Sequence, residues 1–222
     1  MSGPPVQVRP VRPGDEVALG RVAYQTGFFG ESAEHYFPDA GLFADLWVRP
    51  YLHGAGAACF VAVGPGEEVL GYVLGAPGPA RYRRALWRVG RTRLRPRLRR
   101  LDPALRASLR HLIRLARFPG PRADSRQFPA HLHLNLLPQA RGQGVGAALL
   151  TAHLDGLRAL GVPGVQLSTT TENRAALRLY RRFGFREAGR RVSPLWTPWL
   201  GHPAEHVVMV LALKSAPAAA PD

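Results

Sequence analysis

From Ala130 to Leu160 the hydrophobic pattern changes period. Leu132, Leu134 and Leu136 alternate with His131, His133 and Asn135, the period-two pattern of a strand. Pro138 ends that strand, because proline cannot donate to a ladder. Val145, Leu149, Leu154, Leu157 and Leu160 then recur at helical spacing, and Gly161 stands where a helix C′ residue belongs. On the N-terminal side, Val6 to Arg9 alternates as a first strand. A turn at Pro13-Gly14 with Asp15 as candidate N-cap opens a helix to about Thr26, with Val17, Leu19, Val22 and Ala23 available to bury. An aromatic loop covers Phe28 to Pro38, and a second helix covers Ala40 to Val48, ending before Pro50. Strands at Cys59–Val63 and Val69–Ala76 flank a hairpin connection. Pro103 to Phe118 reads as an amphipathic helix with Leu105, Leu109, Leu112, Ile113 and Ala116 as its apolar face. Val165–Ser168, Phe185–Val192 and His206–Leu213 complete the strands. Strands mixed with helices predict an α/β class.

A chain of 222 residues forms one domain with a sizeable core. We take 1–222 as that domain, with an Arg-rich helical insertion at 78–127 and a disordered Ala/Pro tail at 215–222. Cys59 is the only cysteine, so no intrachain disulfide forms. No apolar run is long enough to span a bilayer and Met1 to Pro10 has no signal-peptide core, so a cytoplasmic protein with no membrane partner is expected. Of thirty basic residues only Lys214 is lysine, a bias that lowers the weight of any single arginine. Residues 81–126 hold sixteen arginines against Asp102 and Asp124, a net of +14 within a chain of +15. That segment is either a solvated face with guanidinium groups packed on aromatics such as Trp87, or a salt-dependent polyanion surface. It lacks regular aromatic interleaving, which argues against sequence-specific nucleic-acid recognition.

The turn between the central strand and its helix reads Gln139-Ala140-Arg141-Gly142-Gln143-Gly144-Val145-Gly146. A helix N-terminus has unpaired N–H groups and the positive end of the dipole, and glycines let a phosphate approach the backbone. The turn is not a G-x-x-x-x-G-K-[ST] loop, nor a G-x-G-x-x-G dinucleotide turn. A glycine-rich turn alone is equally a simple connection. A second stretch, Thr171 to Phe185, contains Asn173, Ala176 and Tyr180, three and four residues apart and so on one helix face, with Gly184 ending the helix.

Arg141-x-x-Gly144-x-Gly146 followed by Asn173-x-x-Ala176-x-x-Leu179-Tyr180-x-x-x-Gly184-Phe185 resembles the GNAT superfamily of N-acetyltransferases. The resemblance implies a mixed, mostly antiparallel sheet of about six to seven strands flanked by helices, splayed between the strands at 131–137 and 165–168. It also implies acetyl-CoA as cosubstrate. The backbone at Leu136 and Leu137 would pair with the pantetheine arm. Arg141, Gly142, Gln143, Gly144, Val145 and Gly146 would take the pyrophosphate, with Asn173 and Tyr180 also on the cofactor side. Tyr24 to Gly27, Pro50 to Leu52, Gly71 to Ala76 and His131 to Leu134 are similar to the acetyltransferase-like domain found with O-GlcNAc hydrolases and its free-standing bacterial relatives.

Direct transfer to an amine follows from the resemblance, with Tyr180 as the acid for the leaving thiolate. His133 and His131 are the candidate bases, since imidazole takes a proton near neutral pH; each is equally a hydrogen-bonded core histidine. His-x-His has no neighbouring cysteine or carboxylate to complete a metal site, so no metal is expected. The acceptor would be a small-molecule or peptide amine, on a monomer or homodimer, with non-specific polyanion binding through 81–126 left open. Two other classes stand beside this reading. One is a catalytically weak acetyltransferase-like binding module. The other is an RNA- or ribosome-associated protein using the arginine segment.

Overall fold

In a computed structural model of the chain, residues 6–96 and 103–213 are described. The expected tail at 215–222 lies outside them, as do residues 97–102 of the arginine-rich segment. Seven strands form one sheet: β1 (Gln7–Pro10), β2 (Phe60–Val63), β3 (Val69–Ala76), β4 (Ala130–Leu136), β5 (Gly164–Thr170), β6 (Arg186–Ser193) and β7 (Ala204–Ala212). Their order is β1-β2-β3-β4-β5-β7-β6, and only β4 and β5 are parallel neighbours. The pairing of β3 with β4 runs unbroken from Gly71 opposite Leu136 to Ala76 opposite His131, so alternation along β4 holds throughout.

Six longer helices cover the sheet: α1 (Glu16–Thr26), α2 (Ala40–Trp47), α3 (Pro79–Val89), α4 (Pro103–Arg117), α5 (Val145–Ala159) and α6 (Arg174–Arg182). One core, with Leu19, Phe37, Leu42 and Leu74, lies under α1 and α2. The other, with Leu132, Leu149, Leu154, Val165 and Met209, lies on the opposite sheet face under α5 and α6. Val17 is 86% exposed, because α1 buries Leu19, Val22, Ala23 and Thr26, a stripe whose phase Val17 misses. A Cβ on Gly20 would stand 2.9 Å from that of Ala44, so the α1–α2 crossing rests on glycine at this contact.

The described parts of the segment at 78–127 pack into the fold. Gly78 and Pro79 open α3, an N1 proline with its φ already helical. Ala85 and Val89 are buried, and the Tyr82 ring lies tilted 5.1 Å from that of Tyr51 and edge-on 4.7 Å from that of His131. In α4 the buried face is Leu105, Ser108 and His111, with Leu109 and Leu112 beside it, whereas Ile113 is 62% exposed. Residues 122–128 are fastened to β5: Ala123 N–H donates to Gln166 Oε1 at 2.9 Å, and Gln166 Nε2 donates to the Phe128 carbonyl at 2.6 Å.

A fork of two hydrogen bonds fixes β1 to the start of α1. Arg9 Nη1 and Nη2 donate to the Asp15 carboxylate at 2.8 and 2.9 Å, and Arg12 N–H adds a third bond at 2.7 Å. The Arg9 guanidinium holds the Asp15 carboxyl below its ordinary range. Its stabilisation is therefore complete above the unfolded-state carboxylate pKa and is lost as pH falls through the lower folded value. Asp15→Asn should cost about 2 kcal/mol at pH 7, read from urea melts; equal melts at pH 7 would remove this fork from the account of stability.

Candidate functional site

The parallel pairing of β4 and β5 is only two residues long, Ala130 opposite Val165 and His131 opposite Gln166. Beyond it the strands part, and in the same register His133 stands across from Ser168 and Asn135 across from Thr170 without pairing. Leu137 N–H donates to the Leu70 carbonyl at 2.8 Å. Backbone direction alternates along a strand, so Leu137 points its N–H to β3 and Leu136 points to the gap. Of the two residues expected to pair with a pantetheine arm, Leu136 keeps that orientation and Leu137 does not. Leu132, Leu134 and Leu136 pack on the α5 side, and His131, His133 and Asn135 stand on the opposite face.

At the end of β4 the chain makes a short helical turn, Pro138–Ala140, and enters α5 through the glycines. Gly142 and Gly144 have φ of +75° and +79°, a conformation that favours glycine, and a Cβ on either would point into open space. No side chain caps α5, and its first backbone bond runs from Ala148 N–H to the Gly144 carbonyl. The first-turn amides are thus presented as an anion cradle. Gly146 acts through packing instead. Its Cβ would lie 3.3 Å from Leu136 and 3.4 Å from Leu179, so its absence lets α5 sit close to β4 and α6. Gln143 Nε2 donates to the Gln139 carbonyl at 2.7 Å and ties the turn to itself. Arg141 is held by backbone carbonyls. Its Nε donates to the Leu136 carbonyl at 3.1 Å and its Nη2 to the Gly30 carbonyl, so the guanidinium braces the loop against β4 and against the aromatic loop.

Asn173 also has a local backbone partner. It is the N-cap of α6, with Oδ1 accepting from Ala176 N–H at 3.2 Å, rather than a member of one helix face with Tyr180. Tyr180 is buried in the core with α5, its ring 5.5 Å from Phe185. Burial pushes its phenol pKa up, so the group is protonated across physiological pH. No hydrogen bond to its hydroxyl occurs among the described residues, yet the oxygen is not one of the fully buried unpartnered atoms, so it keeps some access.

On the other face, His131 Nε2 lies 2.9 Å from the Tyr51 hydroxyl. Burial, with smaller contributions from His133 and Arg122, lowers its pKa to about 3. His133 is exposed to solvent, and the protein packed around it holds its pKa below the ordinary imidazole range. Both imidazoles are neutral at pH 7, and only His133 is free of a hydrogen-bond partner among the described residues. Asn135 Nδ2 donates to Thr26 Oγ1 at 2.7 Å, tying β4 to the end of α1. Cys59 holds its thiol against Gly75 and Ala57, and burial pushes its pKa up, so it is no nucleophile.

Beyond the histidines stands an aromatic wall that the sequence shows only in part. Trp196 lies between β6 and β7 and packs on Phe28, Phe29 and Tyr36 with ring centroids at 5.6, 5.3 and 5.0 Å. His111 of α4 joins it, 4.4 Å from Tyr36 and 5.0 Å from Trp196. Arg114 anchors the same turn by donating to the Leu195 carbonyl at 2.8 Å and to that of Pro194. His111 is 1% exposed, its Nδ1 has no hydrogen-bond partner among the described residues, and burial followed by Arg114 lowers its pKa to about 4. The unfolded chain therefore binds a proton that the folded chain refuses. Stability is complete above about pH 6.5 and falls between there and pH 4, by about 2 kcal/mol at pH 5 for this one group. His111→Phe should flatten that part of the stability curve in urea melts at pH 7.5 and 5.0. An unchanged difference between the two pH values would mean that His111 is protonated in the fold.

Among the described residues no group of histidine, cysteine and carboxylate side chains could hold a metal ion. No helix among them is long and apolar enough to cross a membrane. Residues 106–185 match the model of the Acetyltransferase (GNAT) family, a span that includes most of α4, the glycine loop and α6. A stretch of 88 residues is 40% identical to mycothiol acetyltransferase of Clavibacter michiganensis subsp. michiganensis, 39% of this chain and 28% of that protein. A similar enzyme of Brachybacterium faecium is 42% identical over 56 residues, 17% of its own length. The chain thus spans less than a third of these curated relatives. Among solved structures, SsHAT superposes with a TM-score of 0.65 at 24% identity, over 95% of this chain and 100% of that one. A GNAT superfamily phosphinothricin acetyltransferase from Sinorhizobium meliloti, solved with acetyl-CoA, gives 0.60 at 16% identity over 98% and 93%. The fold is the GNAT fold.

Proposed function

We propose that this chain is an acetyl-CoA-dependent N-acetyltransferase that passes acetyl directly to an amine. The observation that carries the reading is the gap between β4 and β5, opening at the amides of a left-handed glycine turn. Acetyl-CoA supplies an activated thioester. The residues present fit it: Gly142 and Gly144 leave room for a pyrophosphate at the first turn of α5, and Leu136 turns its backbone into the gap. Arg141 serves as a brace for that loop, and Gln143, Val145 and Gly146 shape it.

Tyr180 lies in the core under α5 and α6 and His133 on the opposite face of the sheet, and we assign them to the two sides of the gap. The amine nitrogen bonds to the carbonyl carbon, and the carbon–sulfur bond breaks. Neutral His133, through water, takes the proton that the amine sheds, and Tyr180 gives its proton or a hydrogen bond to the sulfur. A phenol made less acidic by burial is better suited to a strong hydrogen bond than to early proton transfer. His131, bonded to Tyr51, positions the strand rather than taking the proton. Asn173 holds the start of α6 in place. The acceptor is a small-molecule or peptide amine bound between the histidine face and the Trp196 wall. On its N-terminal motifs we also relate the chain to the acetyltransferase-like domain found with O-GlcNAc hydrolases, and we expect it in the cytoplasm.

The decisive experiment is calorimetric titration with acetyl-CoA, followed by thiol release over a panel of amines. Saturable binding with turnover on at least one amine is expected. Absence of binding would remove the reading; binding without turnover on any amine would leave an acetyl-CoA-binding module. The pH profile gives a further test. With the pKa of both histidines held below the ordinary range, kcat/KM should rise along one limb set by the acceptor amine, without an inflection near 6.5. An inflection near 6.5 that disappears in His133→Phe would mean that His133 carries a proton in the resting enzyme.

A further inference from the structure

We infer that the outer face of α3 and the turn continuing it is a binding site for the phosphate backbone of single-stranded nucleic acid. α3 runs on without a break through the wider turn Gly90–Leu94 to Arg95. Arg81, Arg84, Arg88, Arg91 and Arg95 follow one another at spacings of three and four, so they form a single ridge, and all are exposed. The ridge is about 21 Å long at 1.5 Å per residue. None of its guanidinium groups pairs with a carboxylate among the described residues, whose ion pairs lie at Arg9, Arg49, Arg158 and Arg190. In the sequence no acidic residue occurs between Glu68 and Asp102. A codon bias toward arginine would replace lysine; it would neither remove every acid nor align the arginines on one face.

The rest of the helix argues against insertion into a bilayer. Its apolar side, Ala85 and Val89, is buried in the fold, and Tyr82 packs on Tyr51 and His131. An interfacial helix needs that side for the acyl region. What remains outward is Trp87, 65% exposed, with the Arg91 guanidinium 5.5 Å from its ring centroid. An exposed indole beside a row of guanidiniums offers a stacking surface for a base next to a track for phosphates. A lone indole supports no sequence preference.

The inference is independent of acetyl transfer, because its test reads binding alone. Fluorescence anisotropy would follow the full chain against a labelled 20-nucleotide RNA of mixed sequence at 50 to 200 mM KCl, with the DNA of the same sequence as a second arm. Five neutralised phosphates give a slope of log affinity on log salt of about −3.5, a loss of about a hundredfold across that range. Changing the ridge together (R81Q, R84Q, R88Q, R91Q, R95Q) should abolish binding at 200 mM and most of the slope at 50 mM, with the melting transition kept. A control of equal charge removed elsewhere (R12Q, R21Q, R178Q, R182Q, R186Q) should retain most of the affinity. Equal losses in both variants, a ridge variant that binds like the parent, or capture by phosphatidylserine vesicles without binding to either oligonucleotide would overturn it.

Discussion

Gly144→Glu should abolish acetyl-CoA binding at concentrations that saturate the parent protein. Gly144 has φ +79° and caps a helix whose first-turn amides have no side-chain partner. A glutamate there sets a carboxylate against the amides that the pyrophosphate would use. Like charges so placed cost several kcal/mol, or roughly a hundredfold or more in affinity. The substitution also strains the backbone by about 1 to 2 kcal/mol, and Gly144→Ala isolates that part, because a Cβ at Gly144 meets nothing within 4 Å. The alanine variant should melt lower yet bind acetyl-CoA within a few-fold of the parent. A folded Gly144→Glu protein with unchanged affinity would move the pyrophosphate site elsewhere.

Tyr180→Phe should lower turnover on the order of a hundredfold while leaving the affinity for acetyl-CoA nearly constant. The phenol is buried, protonated and without a hydrogen-bond partner among the described residues, so removing the oxygen breaks no bond that the fold needs. Its contribution would arise only as negative charge develops on sulfur, and an interaction confined to the barrier lowers kcat without weakening binding. The ring stays against Phe185, and stability should hold or rise slightly. Turnover within about twofold of the parent, where chemistry limits the rate, would reduce Tyr180 to a packing residue.

The parts of the site legible in the sequence are those with local causes. A glycine turn between a period-two and a period-3.6 segment fixes a strand-to-helix corner wherever it occurs, and Gly142, Gly144 and Gly161 all adopt the positive φ that such spacing requires. The span Val69–Ala76 is readable to the residue because proline and glycine bracket it. What local pattern does not show depends on partners distant in the chain. His111 counts as polar in any amphipathic reading, yet its neighbours are Tyr36 and Trp196, aromatic faces that accept an imidazole. Its burial turns the apolar face of α4 away from Ile113. Asn173 resembles a helical residue because its spacing to Tyr180 is helical; its capping role shows only in the backbone. Arg141 carries a phosphate motif, but the carbonyls that hold it, those of Leu136 and Gly30, lie in different parts of the chain. The helical course of α3 is hidden by its charge.

The brevity of the β4–β5 seam also bears on how the molecule opens. Every other neighbouring pair in the sheet is bonded along at least four residues, and α5 lies over β1 to β4 rather than over β5 to β7. The halves β1–β4 and β5–β7 therefore share strand pairing at two residue pairs only, with the core under α5 and α6 joining them elsewhere, and partial unfolding has a natural place to begin at the gap. Amide exchange at Leu134 and Leu136, whose N–H groups face the gap, should proceed by small openings, while amides in β5 and β7 wait for larger ones. A ligand lying along the gap touches both halves and is lost when they separate. It would stabilise by mass action and also couple the two halves, so that a calorimetric transition broad in the free protein would sharpen when the gap is filled.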